Sequence, residues 1–311
     1  MTMTRIDAAA LETVRHLWRR SRHLYHNLGV EDLATLLGTQ LALLANGAAE
    51  PWGFICVQPE PRPRTLPAQA PDRVYLRAIA LARGRSPSQD LPTLLNGIWA
   101  YLPQSAVGHL FIVYGDADWL RLPLYQASFH LAAEVQFLQL SRLGRVPLHT
   151  LAPPTAYPLR PALVADLSAL AQLDAAAFEP LWHFGQQDLQ DLMQTSRIQL
   201  VLLEGAPVGY SALTVSGYSA HLARLAVHPA HQGRGIGRYL LWEALAYAQT
   251  QQVETVRLNT QVTNQRAQQL YRAFGFRATG YITPVLTKVY PPHQGLSQPN
   301  AVAPTVRETS P

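Results

Sequence analysis

Three glycines alternating with single residues, Gln232-Gly233-Arg234-Gly235-Ile236-Gly237, are the part of this chain best suited to chemistry. They follow an apolar segment, His221–Val227, and precede a stretch in which Leu240, Leu241, Ala244, Leu245 and Ala248 share one face at helical spacing. The turn is therefore a helix N-terminus. Glycine lets the backbone take positive φ and approach a ligand closely, while unpaired amides and the positive end of the helix dipole favour an anion. A dinucleotide fingerprint would read G-x-G-x-x-G, and a P-loop would need Lys-Ser or Lys-Thr after the last glycine. Here the spacing is G-x-G-x-G and Arg238-Tyr239 follows, so both nucleotide readings fail.

A second pattern lies downstream in residues 256–276, VRLNTQVTNQRAQQLYRAFGF, where Asn264, Ala267, Leu270, Tyr271, Gly275 and Phe276 are spaced along a strand and a helix. Together, the apolar strand, V-x-P, Q-x-x-G-x-G and this second pattern resemble the GNAT superfamily of N-acetyltransferases. The resemblance implies acetyl-CoA as cosubstrate, direct attack of an amine on its thioester, and no metal. It places the diphosphate on the turn from Gln232 through Gly233, Arg234, Gly235, Ile236 and Gly237 to Arg238, with the two arginines adding charge. The pantetheine arm would lie along the main chain of Leu225, Ala226 and Val227, and the Val227 amide would meet the thioester oxygen. Tyr271 is the expected general acid. Asn264 is expected to bind pantetheine or position its helix, and as an alternative simply caps it.

The general base departs from the simplest pattern. Protein-alanine acetylating members carry a glutamate where this chain has Asn259, and histone-acetylating members carry one where this chain has His221. Histidine titrates near neutrality, so His221 is the candidate, with Glu204, His228 and ordered water as competitors. Phe178, Trp182, His183 and Phe184 form an aromatic cluster that either lines an acceptor cleft or packs in the core. The acceptor is expected to be a primary amine on a small molecule, a peptide or protein N-terminus, or a lysine. The alternative function is a non-catalytic acetyl-CoA-binding sensor or partner-binding module.

The elements that position these groups belong to an α/β (α+β) architecture of 311 residues with 48% apolar content, enough for two cores. Residues 76–102 align without a gap on 222–248, and Leu124, Tyr125 and Ala127 continue the same shift onto Leu270, Tyr271 and Ala273. This is a repeat of domain size. The expected organisation is two tandem GNAT-like domains, each a mixed, mostly antiparallel sheet flanked by helices. A degenerate copy spans 1–146, a proline-rich linker 147–158, the catalytic copy 159–290 and a disordered tail 291–311. Opposite the glycine turn the first copy reads Ser86-Pro87-Ser88-Gln89-Asp90-Leu91-Pro92. It has no glycine there, and Asp90 sits where a carboxylate would satisfy the helix and repel an anion.

The net charge of +5 permits nucleic-acid binding, but the arginines are scattered, so no nucleic-acid partner is expected. No run of 18 apolar residues and no apolar N-terminal region occur, and Cys56 is the only cysteine. A cytoplasmic protein without membrane partner, disulfide or metal cluster is expected, a pseudo-dimer within one chain.

Overall fold

A computed structural model of the chain describes residues 2–27, 33–153 and 155–292. In chain order the elements are β1 Thr2–Ile6, α1 Leu11–Arg20, β2 Ser21–His26, α2 Leu33–Thr39, β3 Leu41–Asn46, β4 Pro51–Pro59, β5 Asp72–Ala82, α3 Pro87–Ala100, β6 His109–Tyr114 and α4 Asp118–Gln126. They continue with β7 His130–Ser141, α5 Leu148–Leu151, β8 Leu159–Pro161, α6 Leu167–Ala177, α7 Gln186–Thr195, β9 Arg197–Leu203, β10 Ala206–Ser216, β11 Ser219–Val227, α8 Ile236–Thr250, β12 Thr255–Gln261, α9 Gln265–Ala273 and β13 Arg277–Tyr290. The chain forms two compact units.

Unit 1 comprises the residues up to Glu60, then Pro71–His130, and Leu286 onward. Its sheet follows β1-β3-β4-β5-β6, with β2 on β5, and only the β5–β6 pair is parallel. One face packs on α3 through Leu91, Leu94, Leu95 and Ile98, and the other on α1 and α2 through Val14, Leu17, Leu36 and Leu37. As expected from the missing glycines, α3 caps itself: Asp90 Oδ2 accepts the Ser86 amide at 3.0 Å, and its other oxygen lies 3.3 Å from Arg85 Nη1.

Unit 2 comprises Pro61–Ala70 and Leu131–Val285. Its strands follow β7-β12-β11-β10-β9-β8, again with one parallel pair, β11–β12. Helices α8 and α9 cover one face, where Leu241, Ala244, Leu245, Tyr271 and Phe274 are buried. Helices α6 and α7 cover the other through Leu170, Leu173 and Leu189.

The repeat is visible in a defect of the ladders. Between β4 and β5 the register skips Arg77, and between β10 and β11 it skips Ala223, the residue 146 positions on. A bulge bends a strand and re-aims the residues beyond it, so both copies bend at the same point.

The units are not the contiguous halves 1–146 and 159–290. Leu131–Ser141 of β7 lies in unit 2, paired from Val135 to Ser141 against Gln261 to Thr255 of β12, with Leu138 and Leu140 in that unit's core. Leu286 and Tyr290, at the end of β13, are buried in the core of unit 1, where the Tyr290 ring lies 4.8 Å from Phe111. A repeat read from similarity places each strand in the half that encodes it, whereas contacts place it where its apolar face is covered.

Residues 147–158 are also not simply an extended linker. Leu148–Leu151 form a helical turn with Leu148 buried, held by Trp242 Nε1 donating to Leu148 O (2.9 Å) and Arg238 Nη2 donating to Leu151 O (3.1 Å). Pro147 stands at its N-cap, where a missing N–H costs nothing. The expected tail falls almost wholly outside the described residues. Among the described residues no helix is long and apolar enough to cross a membrane, and no His, Cys, Asp or Glu group is arranged to hold a metal.

Candidate active site

The site grows from the bend in β11. β11 and β12 pair only ahead of the bulge, over Ser219–His221 with Thr255–Arg257, so the two parallel strands part company before Leu225. On its other side β11 stays paired with β10, Leu225 facing Ser211, Ala226 facing Tyr210 and Val227 facing Gly209. The His228 amide donates to Val208 O at 2.9 Å, and alternation in an antiparallel ladder then turns the Ala226 groups toward β10 and those of Leu225 and Val227 away from it. Apolar side chains thus carry main-chain donors and acceptors into a gap.

Helix α8 points its N-terminus at the same gap. Gly233 and Gly235 have φ of +84° and +85°, conformations that side-chain-bearing residues rarely adopt, and Gly235 is the N-cap without any side-chain capping bond. The first i→i−4 bond is donated by Tyr239 to Gly235 O at 2.9 Å, which leaves the earlier amides outside the helical ladder. Gly209, which sequence reasoning missed, lets α8 lie directly on β10: an added Cβ would stand 3.0 Å from Ile236 Cγ2 and 3.1 Å from Ala226 O. A glycine inside a strand is itself a sign of such close approach.

Gly237 differs from its neighbours. Its added Cβ would meet Val227 and Leu270 at 3.6 and 3.7 Å, ordinary contact, in a normal helical backbone. Gly235→Val is expected to cost about 1–3 kcal/mol in stability, because Gly235 has φ +85°. Gly237→Ala should leave the melting temperature unchanged or slightly raised. Thermal melts of both variants check this, and equal melting temperatures would contradict it.

The strand gap, the glycine turn and α9 enclose a cavity of about 410 Å³. It is lined by Leu225, Ala226 and Val227, by Gln232, Gly233 and Gly235 through Arg238, and by Asn264 and Tyr271, with Ala177 and Phe178 at the end of α6. His231 and Arg266 join them, neither singled out from sequence. Gln232 is a brace: its Nε2 donates to Val227 O (3.1 Å), and its Oε1 accepts from Arg266 Nη1 (2.5 Å). Arg234 is exposed and does not line the cavity; its carbonyl accepts a hydrogen bond from the Tyr157 hydroxyl. Asn264 Oδ1 accepts the Ala267 amide at 3.1 Å, so it caps α9 while lining the cavity.

Tyr271 is 7% exposed, and burial pushes its phenol up to about 12, against a smaller opposing pull from Arg224. Its repeat partner Tyr125 is 47% exposed. Packing of this helix therefore does not by itself require a buried tyrosine.

His221 stands apart. It is exposed on β11 beside Thr214 of β10 and Arg257 of β12, outside the cavity lining, and partial desolvation by neighbouring protein lowers its pKa below the usual value near 6.5. Of its competitors, His228 caps the short turn Pro229–His231 by accepting the Ala230 amide, and Glu204 sits in the β9–β10 hairpin turn with φ +52°. Asn259 is exposed opposite Phe137 of β7. No carboxylate lines the cavity among the described residues.

Behind the cavity wall lies a cluster that sequence reasoning missed. Asp174 on α6 is fully buried and accepts four hydrogen bonds: Arg224 Nε (2.8 Å) and Nη2 (2.7 Å), the Tyr210 hydroxyl (2.6 Å) and the Phe184 amide (2.6 Å). The Arg224 guanidinium also donates to Trp182 O at 2.5 Å and lies between the Phe178 and Phe184 rings, 3.6 and 3.9 Å from their centroids. Burial first, and the carboxylate second, push the Tyr210 phenol well above its usual value. Of the aromatic cluster, Phe178 and Phe184 thus grip the arginine, His183 is buried, and Phe178 alone reaches the cavity. A lone arginine within an apolar strand, His221–Val227, was the available signal.

A parted pair of parallel strands, with a glycine-capped helix end aimed into the gap, defines the class: an acyltransferase fold of the N-acetyltransferase type. Residues 167–276 match the Acetyltransferase (GNAT) family, and the chain carries a GNAT acetyltransferase domain there. The chain is 39% identical over 82 residues to the N-alpha-acetyltransferase RimI of Mycobacterium tuberculosis. That match covers 24% of this chain and 49% of the relative, so the chain spans about half of that protein's length. Among solved structures, a GCN5-related N-acetyltransferase from Sphaerobacter thermophilus matches with a TM-score of 0.58 at 16% identity, over 94% of this chain and 98% of the other. A tandem GNAT protein from the clavulanic acid biosynthesis pathway matches with a TM-score of 0.56 at 13% identity, over 94% and 100%. The fold is that of two tandem GNAT-like domains, as the repeat implied.

Proposed function

We propose that unit 2 is an acyl-CoA-dependent N-acyltransferase that moves an acetyl group onto a primary amine. The observation that carries this reading is one cavity shared by the glycine-capped helix end, the main-chain edge of Leu225 and Val227 that is turned away from β10, and the buried Tyr271. The residues suit acetyl-CoA. The amides before Tyr239 and the side chain of Arg238 receive the diphosphate, with Arg266 as a second cation. The edge of β11 receives the pantetheine amides as an added strand would, and the Val227 N–H faces the thioester oxygen.

Acetyl-CoA supplies an activated acyl group. The amine nitrogen bonds to the acyl carbon, the carbon–sulfur bond breaks, and the sulfur leaves with the bonding pair as a thiolate that takes its proton from water. With its phenol near 12, Tyr271 holds its proton and donates a hydrogen bond to the sulfur rather than shedding the proton first. The amine proton goes to His221 or to water, because no carboxylate faces the cavity. The likeness to an N-alpha-acetyltransferase favours a peptide or protein N-terminus as acceptor, ahead of a small amine or a lysine. A cytoplasmic location and the absence of membrane and nucleic-acid partners fit this reading.

Turnover of labelled acetyl-CoA against a panel of N-terminal peptides, lysine peptides and small amines tests it. Acetyl-CoA binding without turnover on any acceptor would overturn it in favour of a non-catalytic acetyl-CoA-binding module, the reading that the lack of a cavity carboxylate supports.

The base can be assigned by pH. A base whose pKa is lowered is already deprotonated above that value, so if His221 accepts the proton the acid limb of kcat/KM lies below 6.5. His221→Asn should then lower kcat roughly 10²-fold or more and abolish that limb. An unchanged profile in the variant assigns the role to water.

A further inference from the structure

We propose that the proline-rich segment between β4 and β5, Pro61–Ala70, is a specificity element for the acceptor. It backs the loop that forms the acceptor-side wall of the cavity. This rests on the acyltransferase reading above, which puts the reacting carbon near Tyr271 and the Val227 amide. The wall beside them is Ala177 and Phe178, and Phe178 opens the loop that ends at Gly185, the N-cap of α7. An amine must therefore enter past that loop.

The loop is held from two sides. From within, Arg224 and Asp174 tie Phe178, Trp182 and Phe184 to β11 and α6. From without, Pro63 lies on Gly185: an added Cβ would stand 3.1 Å from Pro63 Cβ and 3.2 Å from its Cγ, closer than real Cβ atoms ordinarily come. Gly185 is extended, with φ −79° and ψ 179°, so it is glycine for want of space and not for want of a permitted backbone.

The segment is shaped for a backing role. Arg62 donates to the carbonyls of Ala70 (2.8 Å), Pro67 (2.7 Å) and Ala68 (3.0 Å), which closes the segment on itself. Leu66 is 7% exposed, and its amide donates to Pro63 O at 3.0 Å. Prolines at 61, 63 and 67 further restrict the backbone. By its contacts the segment belongs to unit 2, although the flanking strands β4 and β5 belong to unit 1. The half of the sequence without a glycine turn thus supplies the backing of the loop that Phe178 opens.

Two variants of the full chain test this. In one, residues 62–69 are replaced by a Gly-Ser segment of equal length; in the other, Gly185→Ala presses a methyl group against Pro63. Each should raise the acceptor KM at least 10-fold while leaving the acetyl-CoA KM and the kcat at saturation within about 2-fold. Pro63→Gly added to Gly185→Ala should restore most of the loss. Hydrogen exchange gives a readout independent of turnover. The amides of Phe184 and Gly185 donate to Asp174 and Asp188 at 2.6 and 2.7 Å, and should lose at least 10-fold protection in the Gly-Ser variant while α8 keeps its own. Unchanged protection of residues 178–185 overturns the proposal. So does a parallel rise in both KM values, or selectivity across the acceptor panel identical to the parent. A parent without turnover but with protection lost in the variant would defeat the acyltransferase reading while leaving the backing role intact.

Discussion

Asp174→Ala is expected to destabilise unit 2 by about 3–5 kcal/mol, the cost of leaving a buried charge without its partner. The Arg224 side chain is 11% exposed and Asp174 is fully buried, so water cannot replace the lost carboxylate. The substitution also strips acceptors from the Tyr210 hydroxyl and the Phe184 amide, groups that are expensive to leave unpaired in a dry interior. Urea unfolding followed in unit 2 measures the loss. Arg224→Met should cost less, because the carboxylate keeps two neutral donors and a thioether fits between the Phe178 and Phe184 rings. Asp174→Leu combined with Arg224→Met should cost less than the sum of the two single changes, since residues in contact couple. A loss below about 1 kcal/mol for Asp174→Ala would show that the wall stands without the pair.

Tyr271→Phe should lower kcat roughly 10²-fold with little change in acetyl-CoA affinity. The ring is buried against Phe276, with centroids 5.9 Å apart, and phenylalanine keeps that contact and the fold. Only the hydroxyl is lost, and with it the donor that the proposed mechanism assigns to the departing sulfur. Because burial holds the phenol near 12, the basic limb of the parent's pH profile should not fall at the ordinary tyrosine value of 10. The comparison is decisive in both directions. Equal turnover would remove Tyr271 from the chemistry, while lost affinity with retained kcat would make it part of the cofactor wall.

What the sequence disclosed and what it hid divide by range. The glycine turn and the α9 pattern are local, so β11, α8, β12 and α9 were legible from short stretches of sequence. The ungapped shift of 146 announced a repeat, and the skipped residues Arg77 and Ala223 at the two bends obey that shift. Asp90 was readable as a cap for the same reason, since a helix end is satisfied by its own first turn. By contrast, Asp174 and Arg224 lie 50 positions apart, and nothing in either neighbourhood announces the other. The burial of Tyr271 against the exposure of Tyr125 was equally hidden, because the two helices share a pattern but not a partner strand or cavity. His221 was chosen by position in a motif, and only the fold shows that it lies outside the cavity lining.

The placement of β7 and the end of β13 bears on how this gene can change. Val135 to Ser141 forms a ladder with β12 and sends Leu138 and Leu140 into the core around Tyr271, yet it is encoded ahead of everything else in that core. The half that lacks the glycine turn therefore supplies part of the unit that carries it. A deletion that removed the same half would bare one edge of β12. The first half, without a glycine turn of its own, thus cannot be discarded, and recombination that trades one half for a homologue must preserve both the β7–β12 ladder and the packing of the end of β13.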